Sequence, residues 1–484
     1  ITTNVPNKAI TNLVSKSDTT SCNSHSLYGI VKGLGVWKLD ENPLVITTSS
    51  DAVCSGTETV TASVNNPFGG NPSYLWSTGA TTAQIANLGA GTYTVTVASG
   101  QCSATSFVDI MEDPNCCNTF SYYLNDSIFN GGIINVDCNL NQNAICNGIV
   151  TINGANVSIK EGITITVPAN STLIIENNST LFACGNMWAG IVVEDGGILK
   201  VSDSEINDAE NAIYAKNNST VFLQNCSFYN NYTGIYIPTA STGLNSINFS
   251  MLNCEFATQG SLKSAYPGQL TNPGSKAFAG IQVQDTYLDI SSSSASNRFN
   301  NLSNGVVASN STLIANSCDF LNITPDPQYQ SITGSMAANT SYNGSAIYAI
   351  GRYGNLLKQR GNGIGINVQP SFENCRYGIF TDRMNVDSRN NNMIGMETGY
   401  RTSFGSNLTT DIVGNKIESR STAIDLRFND NAAHLWVSDN EIHFGDYFSG
   451  SLRGISAIQS FEQNGANYDS RIHNNIILPR PKIS

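Results

Sequence analysis

The chain has 484 residues and a mass of 51.7 kDa, too long for one ordinary core, so several domains or a repeat architecture are expected. Charged residues are only 12% and hydrophobic ones 40%, which excludes a disordered polar chain. A net charge of −12 argues against nucleic acid as a partner, and no apolar run of about 18 residues offers a membrane-spanning helix.

The polar surface rests on Ser, Thr, Asn and Gly, which favour turns and strands over helices. The chain opens at Ile1 without a Met or leader-like segment, as a mature or trimmed product would. Residues 1–42 include "LYGIVKGLGVWKLDE" and read as a cap, a donated strand or the tail of a preceding domain. Residues 43–112 read as seven or so short strands, with "ETVTASV" and "GTYTVTVASG" alternating and Trp76 a core candidate. That pattern predicts a small immunoglobulin-like sandwich. Cys54 and Cys102 lie 48 residues apart at its two ends. A bridge between them is expected to add about 3–4 kcal/mol, the alternative being two unpaired core thiols.

The segment "YLWSTGATTAQIANLGAGTYTVTVASGQC" (Tyr74 to Cys102) resembles the repeat modules (PKD or immunoglobulin-like) of Bacteroidota cell-surface proteins, gliding adhesins among them. The resemblance covers about 60 residues and rests on the W-S-x-G-A-T-T segment, the L-x-A-G-T-Y-T-V-T-V strand and the late cysteine. It implies an exported protein on the cell surface, delivered by the type IX route. That route reads a C-terminal sorting domain, and nothing after residue 450 resembles one.

Twelve cysteines crowd toward the front, and neither CxxC nor a Cys/His zinc spacing occurs. Disulfides are expected early and free, buried thiols later; no pairing follows for Cys22, Cys116, Cys117, Cys138, Cys146 and Cys184. No metal or cofactor is expected. Residues 113–145 read as a Cys-containing linker or as a cap for the repeat region after it.

From 146 to 484 the chain repeats. Small-apolar steps recur at Gly190-Ile191, Ala212-Ile213, Gly234-Ile235, Gly280-Ile281, Gly305-Val306, Gly378-Ile379, Gly399-Tyr400, Ala423-Ile424 and Gly454-Ile455. Seven residues before the large member stands a second apolar residue: Ile206, Phe228, Phe299, Phe372, Met393 or Ile417. Two residues earlier again stand Ser204, Cys226, Asn297, Asn391 or Asn415, with Pro370 the exception. Cys254 and Cys318 take the same place. A period near 22 residues predicts a right-handed parallel β-helix of roughly 12 coils, with apolar ladders as core and polar ladders at bends. Cys226 and Cys254 then stack at a separation that a disulfide accepts. Cys184 to Ile237 also resembles β-helix domains of secreted Bacteroidota proteins, which implies a fold and a setting but no activity.

Many β-helices cleave acidic glycans, yet this chain lacks a GHG segment and an Asp-Asp pair. No residue is assigned as catalytic. The nearest candidate, "AIDLRFNDNAAHLW" with Asp425, Arg427, Asp430 and His434, reads as a solvated ion pair. "TDRMNVDSR", with Asp382, Arg383, Asp387 and Arg389, is a weaker version of it. Insertions at about 257–279 and 322–362 are the candidate binding surface. The second holds Tyr329, Tyr342, Tyr348, Arg352, Tyr353, Lys358 and Arg360, types suited to sugars or protein hot spots. The alternative is a loop packed on its own coil. The functional expectation is a non-enzymatic extracellular protein: an adhesin, a stalk or a subunit of an assembly. Its partners are further copies of itself, other surface proteins or glycans. A carbohydrate-active enzyme is the alternative.

Overall fold

A computed structural model describes residues 10–16, 26–31, 35–40, 45–49, 58–65, 71–88, 90–99, 102–111, 116–124, 128–240, 243–293, 295–329, 341–351, 354–361, 369–404, 408–428, 434–444, 453–459 and 470–478. The chain divides into units at Ile1–Cys116 and Cys117–Ser484. In the first, Ile10–Lys16, Ser26–Val31 and Gly35–Asp40 form an antiparallel meander. Two further three-stranded antiparallel sheets follow, one from Val45–Ser49, Glu58–Asn65 and Gln84–Leu88, the other from Ser73–Trp76, Gly91–Ser99 and Cys102–Ile110. Val60, Trp76, Ile85, Val95, Val97 and Val108 share one core between them. The indole N–H of Trp76 donates to Thr82 O at 2.8 Å. Cys54 lies outside the described residues, and the expected Cys54–Cys102 bridge with it.

The second unit is a right-handed parallel β-solenoid of about 11 turns. Each turn has three strands. One face carries the phenylalanine ladder (for example Ser227–Tyr229), the next the isoleucine ladder (Thr233–Ile237), and a third closes the coil (Thr220–Gln224). Pairing starts at Tyr123–Leu124, so part of the segment 113–145 supplies the first rungs.

The isoleucine ladder explains the repeat. Ile165, Ile191, Ile213, Ile235, Ile281, Val306, Ile347, Ile379, Tyr400, Ile424 and Ile455 pair rung to rung. Ile347 is a member that the sequence reading placed inside an insertion. On the adjoining face Phe228, Phe256, Phe299, Phe320 and Phe372 stack in turn, with centroids 4.7, 5.1, 4.8 and 5.1 Å apart. The small member of each step has a steric reason. A Cβ on Gly280 would stand 2.5 Å from the Phe299 ring, and one on Gly305 2.6 Å from Phe320.

The three bends need left-handed backbone, which Asn and Asp adopt at least cost after glycine. Asn225 and Asn253 (φ 53° and 52°), Asp208 and Asn230 (64° and 58°), and Asn218 and Asn310 (55° and 50°) supply it at the three corners. Side chains there chain along the axis: Asn253 Nδ2 donates to Asn225 Oδ1, and Asn225 Nδ2 to Asp203 Oδ1, both at 2.8 Å.

Beside the first corner runs an inward polar ladder. Ser204, Cys226, Cys254, Cys318, Asn391 and Asn415 are all buried in it. Asn391 N donates to Asn415 Oδ1 at 2.9 Å, and Asn415 N to Asn440 Oδ1 at 3.0 Å. The thiols of Cys226, Cys254, Cys318 and Cys375 are free and buried. Cys226 Sγ donates to Val201 O at 3.1 Å. Its hydrogen bond with Cys254, and then burial, push the Cys226 thiol up. Cys138 and Cys146 are free too, although disulfides were expected in that part, because both point into the first coils. Cys117 pairs with Cys184 instead, Cα to Cα 5.7 Å. The segment from Cys117 lies across the phenylalanine face, where Asn141 and Asn139 bond the backbone of Cys117 and Phe120.

Candidate functional site

Of the predicted tyrosines, Tyr329, Tyr342 and Tyr348 do not form a presented surface. Tyr329, Tyr342 and Tyr348 are 3%, 7% and 3% exposed. They pack with Phe278, Tyr377 and Phe380 in an aromatic cluster on the outer side of the isoleucine face. Tyr342 stacks on Tyr348 at 4.0 Å, and Tyr329 meets Phe278 edge-on at 5.4 Å. The described part of the loop therefore packs on its own coil. The reason is local: the outward row Val307–Tyr348–Phe380 is apolar and needs a cover. Part of 322–362 is not loop at all. Ser345–Ile350 and Leu356–Arg360 are rungs of the coil, which places Tyr348, Lys358 and Arg360 on strands. Arg352 and Tyr353 lie outside the described residues.

The other insertion also docks. Asp326 accepts from Ser275 N and Oγ at 2.7 Å and from Lys276 N at 3.0 Å. Although burial raises the Asp326 carboxyl, these bonds hold it below the ordinary range. Glu210 accepts from Tyr266 OH at 2.5 Å and from Thr271 Oγ1 at 2.8 Å. Lys263 sits 3.8 Å from Asp208, whose carboxyl burial pushes up to about 6.

The charged candidates are neutralised by one another. Asp425 was expected to be solvated, but it is buried between Arg401 and Arg427, at 3.0 and 3.2 Å. Arg401 also covers the Tyr377 ring at 5.0 Å. His434 stands on the third face, away from Asp425, and Asp430 is outside the described residues. Arg360 and Arg389 both pair with Asp387, and Arg389 reaches Asp411 at 2.7 Å. Among the described residues no group of three His, Cys, Asp or Glu is placed to hold a metal.

A concavity lies elsewhere, on the outer side of the third face: a groove of about 840 Å³. Two outward rows make its floor. One runs Ile174, Lys200, Phe222, Ser250, the other Glu176, Ser202, Gln224, Leu252. Lys200, Gln224 and Ser250 are exposed and Phe222 is half-buried. The groove ends where the sheet breaks: among the described residues Asn248–Leu252 has no ladder partner on its far side, and Tyr287–Asp289 begins a new seven-strand sheet. The serines at 291–293 with Asp289 and Asn316 form the end wall. Alternation in "TVFLQN" signals Phe222 as outward, yet the groove also needs the break at 287, which no periodicity announces.

The chain matches no family model, no curated protein and no solved structure.

Proposed function

We propose that the protein is a non-enzymatic extracellular scaffold, an adhesin, stalk or assembly subunit, whose solenoid holds a lateral binding groove at a fixed height. At about 4.8 Å per rung, some 11 turns make a rod of about 50 Å. The observation that carries the reading is the mutual pairing of the charged outward groups. Asp425 and Asp387 each lie between two arginines, which occupies both carboxylates and leaves neither as a free acid or base. The groove floor brings one acid, Glu176, together with one base, Lys200, among hydroxyl, amide and apolar groups.

The Cys117–Cys184 bridge supports an oxidising, exported setting. The W-S-x-G-A-T-T module supports a Bacteroidota surface protein carried by type IX secretion. The test is prolonged incubation of the full chain with pectin, alginate and glycosaminoglycans, with and without calcium. The scaffold reading predicts no new reducing ends and no unsaturated product; product that accumulates with enzyme concentration overturns it in favour of a lyase or hydrolase.

A further inference from the structure

The groove on the third face has a chemistry that narrows its ligand. Under Lys200 and Phe222 its floor is sheet paired on both sides, and the Ser250 strand pairs on its near side. The break at its end is closed as well. Asn297 Nδ2 donates to Met251 O at 3.3 Å and to Ile290 O at 2.9 Å, stitching the two sheets across the gap. Below it Thr286 Oγ1 donates to Asn245 O at 3.0 Å. A peptide adding itself as a strand needs open edge groups, and Asn297 takes the Met251 and Ile290 carbonyls at the break. Recognition in this groove therefore falls to side chains.

Those side chains are of three kinds. Phe222 gives a flat apolar area in the floor, and Ile174 a second one two rungs back, with Lys200 between them. Ser202, Gln224 and the wall serines give neutral donors and acceptors on either side of it. Ser291 Oγ accepts from Asn316 N at 3.1 Å, which leaves its own proton for a ligand. Charge is sparse and slightly negative: Lys200 against Glu176 and Asp289, in a chain of net charge −12. The rows repeat at about 4.8 Å along the axis, close to the length of one pyranose unit.

We propose that this groove binds an extended, uncharged oligosaccharide lying along the solenoid axis, with one sugar ring over Phe222. The apolar face of one pyranose covers the aromatic ring, while hydroxyls of that unit and of its neighbours along the chain meet Gln224, Ser202 and Ser291. Polyanionic glycans are disfavoured by Glu176 and Asp289. The inference rests on the scaffold reading, in that the glycan is held and not cut.

The test is calorimetric titration of the full chain with cellohexaose, xylohexaose, mannohexaose and chitohexaose, and with polygalacturonate as the charged comparison. At least one neutral hexasaccharide is expected to bind, with an affinity unchanged by high salt. Phe222→Ala should weaken it tenfold or more, and Phe222→Tyr should restore it. Tyr236→Ala, on the isoleucine face, should leave it unaltered. Circular dichroism of each variant checks that the coil is intact. No binding by any neutral probe, tighter binding of polygalacturonate, or an unaltered affinity in Phe222→Ala overturns the proposal. Cleavage of a bound probe would instead overturn the scaffold reading and leave the site assignment standing.

Discussion

At the scale of single residues, the repeat is set by contacts between one coil and the next. Gly280 lies under Phe299, so a side chain there must push the ring off its stack. Gly280→Ala is expected to cost about 1–3 kcal/mol, read by chemical denaturation. A second change, Phe299→Met, should recover part of it, because Met393 already sits beside Gly378 in the same arrangement. The corner asparagines separate two effects. At Asn253, φ 52°, Gly keeps the backbone and loses only the bond to Asn225, whereas Ala loses both. Asn253→Ala should therefore destabilise by about 1 kcal/mol more than Asn253→Gly. The ladders were legible in the sequence because a small-apolar step recurs from Ile191 to Ile424, with an apolar residue seven places before it at Ile206, Phe228, Phe299, Phe372, Met393 and Ile417. The thiols fit the same account. Cys226, Cys254, Cys318 and Cys375 are buried, so an alkylating reagent should label none of them before the coil unfolds.

At the scale of elements, the insertions behave as covers for the coil. The segment at 258–278 docks through Glu210, Asp208 and Met187, whose N–H takes Ser264 O at 2.9 Å. Asp208 makes this docking pH-dependent in a defined direction. Its folded-state carboxyl lies near 6, above the ordinary 3.8, so the folded protein holds that proton more tightly than the unfolded chain does. The associated stability is full below about 3.8 and is lost as pH rises through about 6, an effect on the order of 2–3 kcal/mol. Asp208→Asn should remove that loss, giving a higher melting temperature at pH 7 and a flatter profile between pH 4 and about 6.5. The sequence located these insertions by the interrupted period but not their packing. Tyr329 and Tyr342 were candidates for a binding face because aromatic loops often bind partners. The outward apolar row of Tyr348 and Phe380 that captures them becomes visible only once the coil is wound. The reading of 322–362 has the same origin: Ala346-Ile347 is an ordinary rung, hidden because its spacing from the steps at Gly305-Val306 and Gly378-Ile379 departs from the period.

At the scale of the whole molecule, the solenoid is a stack in which each turn is covered by its neighbours, so its ends and clamps matter. The Cys117–Cys184 bridge spans 67 residues and ties the entering segment to the phenylalanine face three rungs on. Replacing both cysteines by serine should cost about 4 kcal/mol on the loop-entropy account. The loss should show as early exposure of the first rungs in hydrogen exchange, ahead of those near Phe299. The fold class was legible from period and composition together. The groove was not, since it depends on two rows of outward side chains meeting a break in one of three faces. On the proposed reading this rod holds a neutral glycan in that groove without cutting it. The most direct measurement is a crystal structure of the full chain after prolonged soaking with the neutral hexasaccharide that binds it best. The account predicts an unbroken sugar chain along the axis, with a ring over Phe222 and hydroxyls on Gln224 and Ser291. A cleaved sugar, or an intact one bound away from the third face, would contradict it.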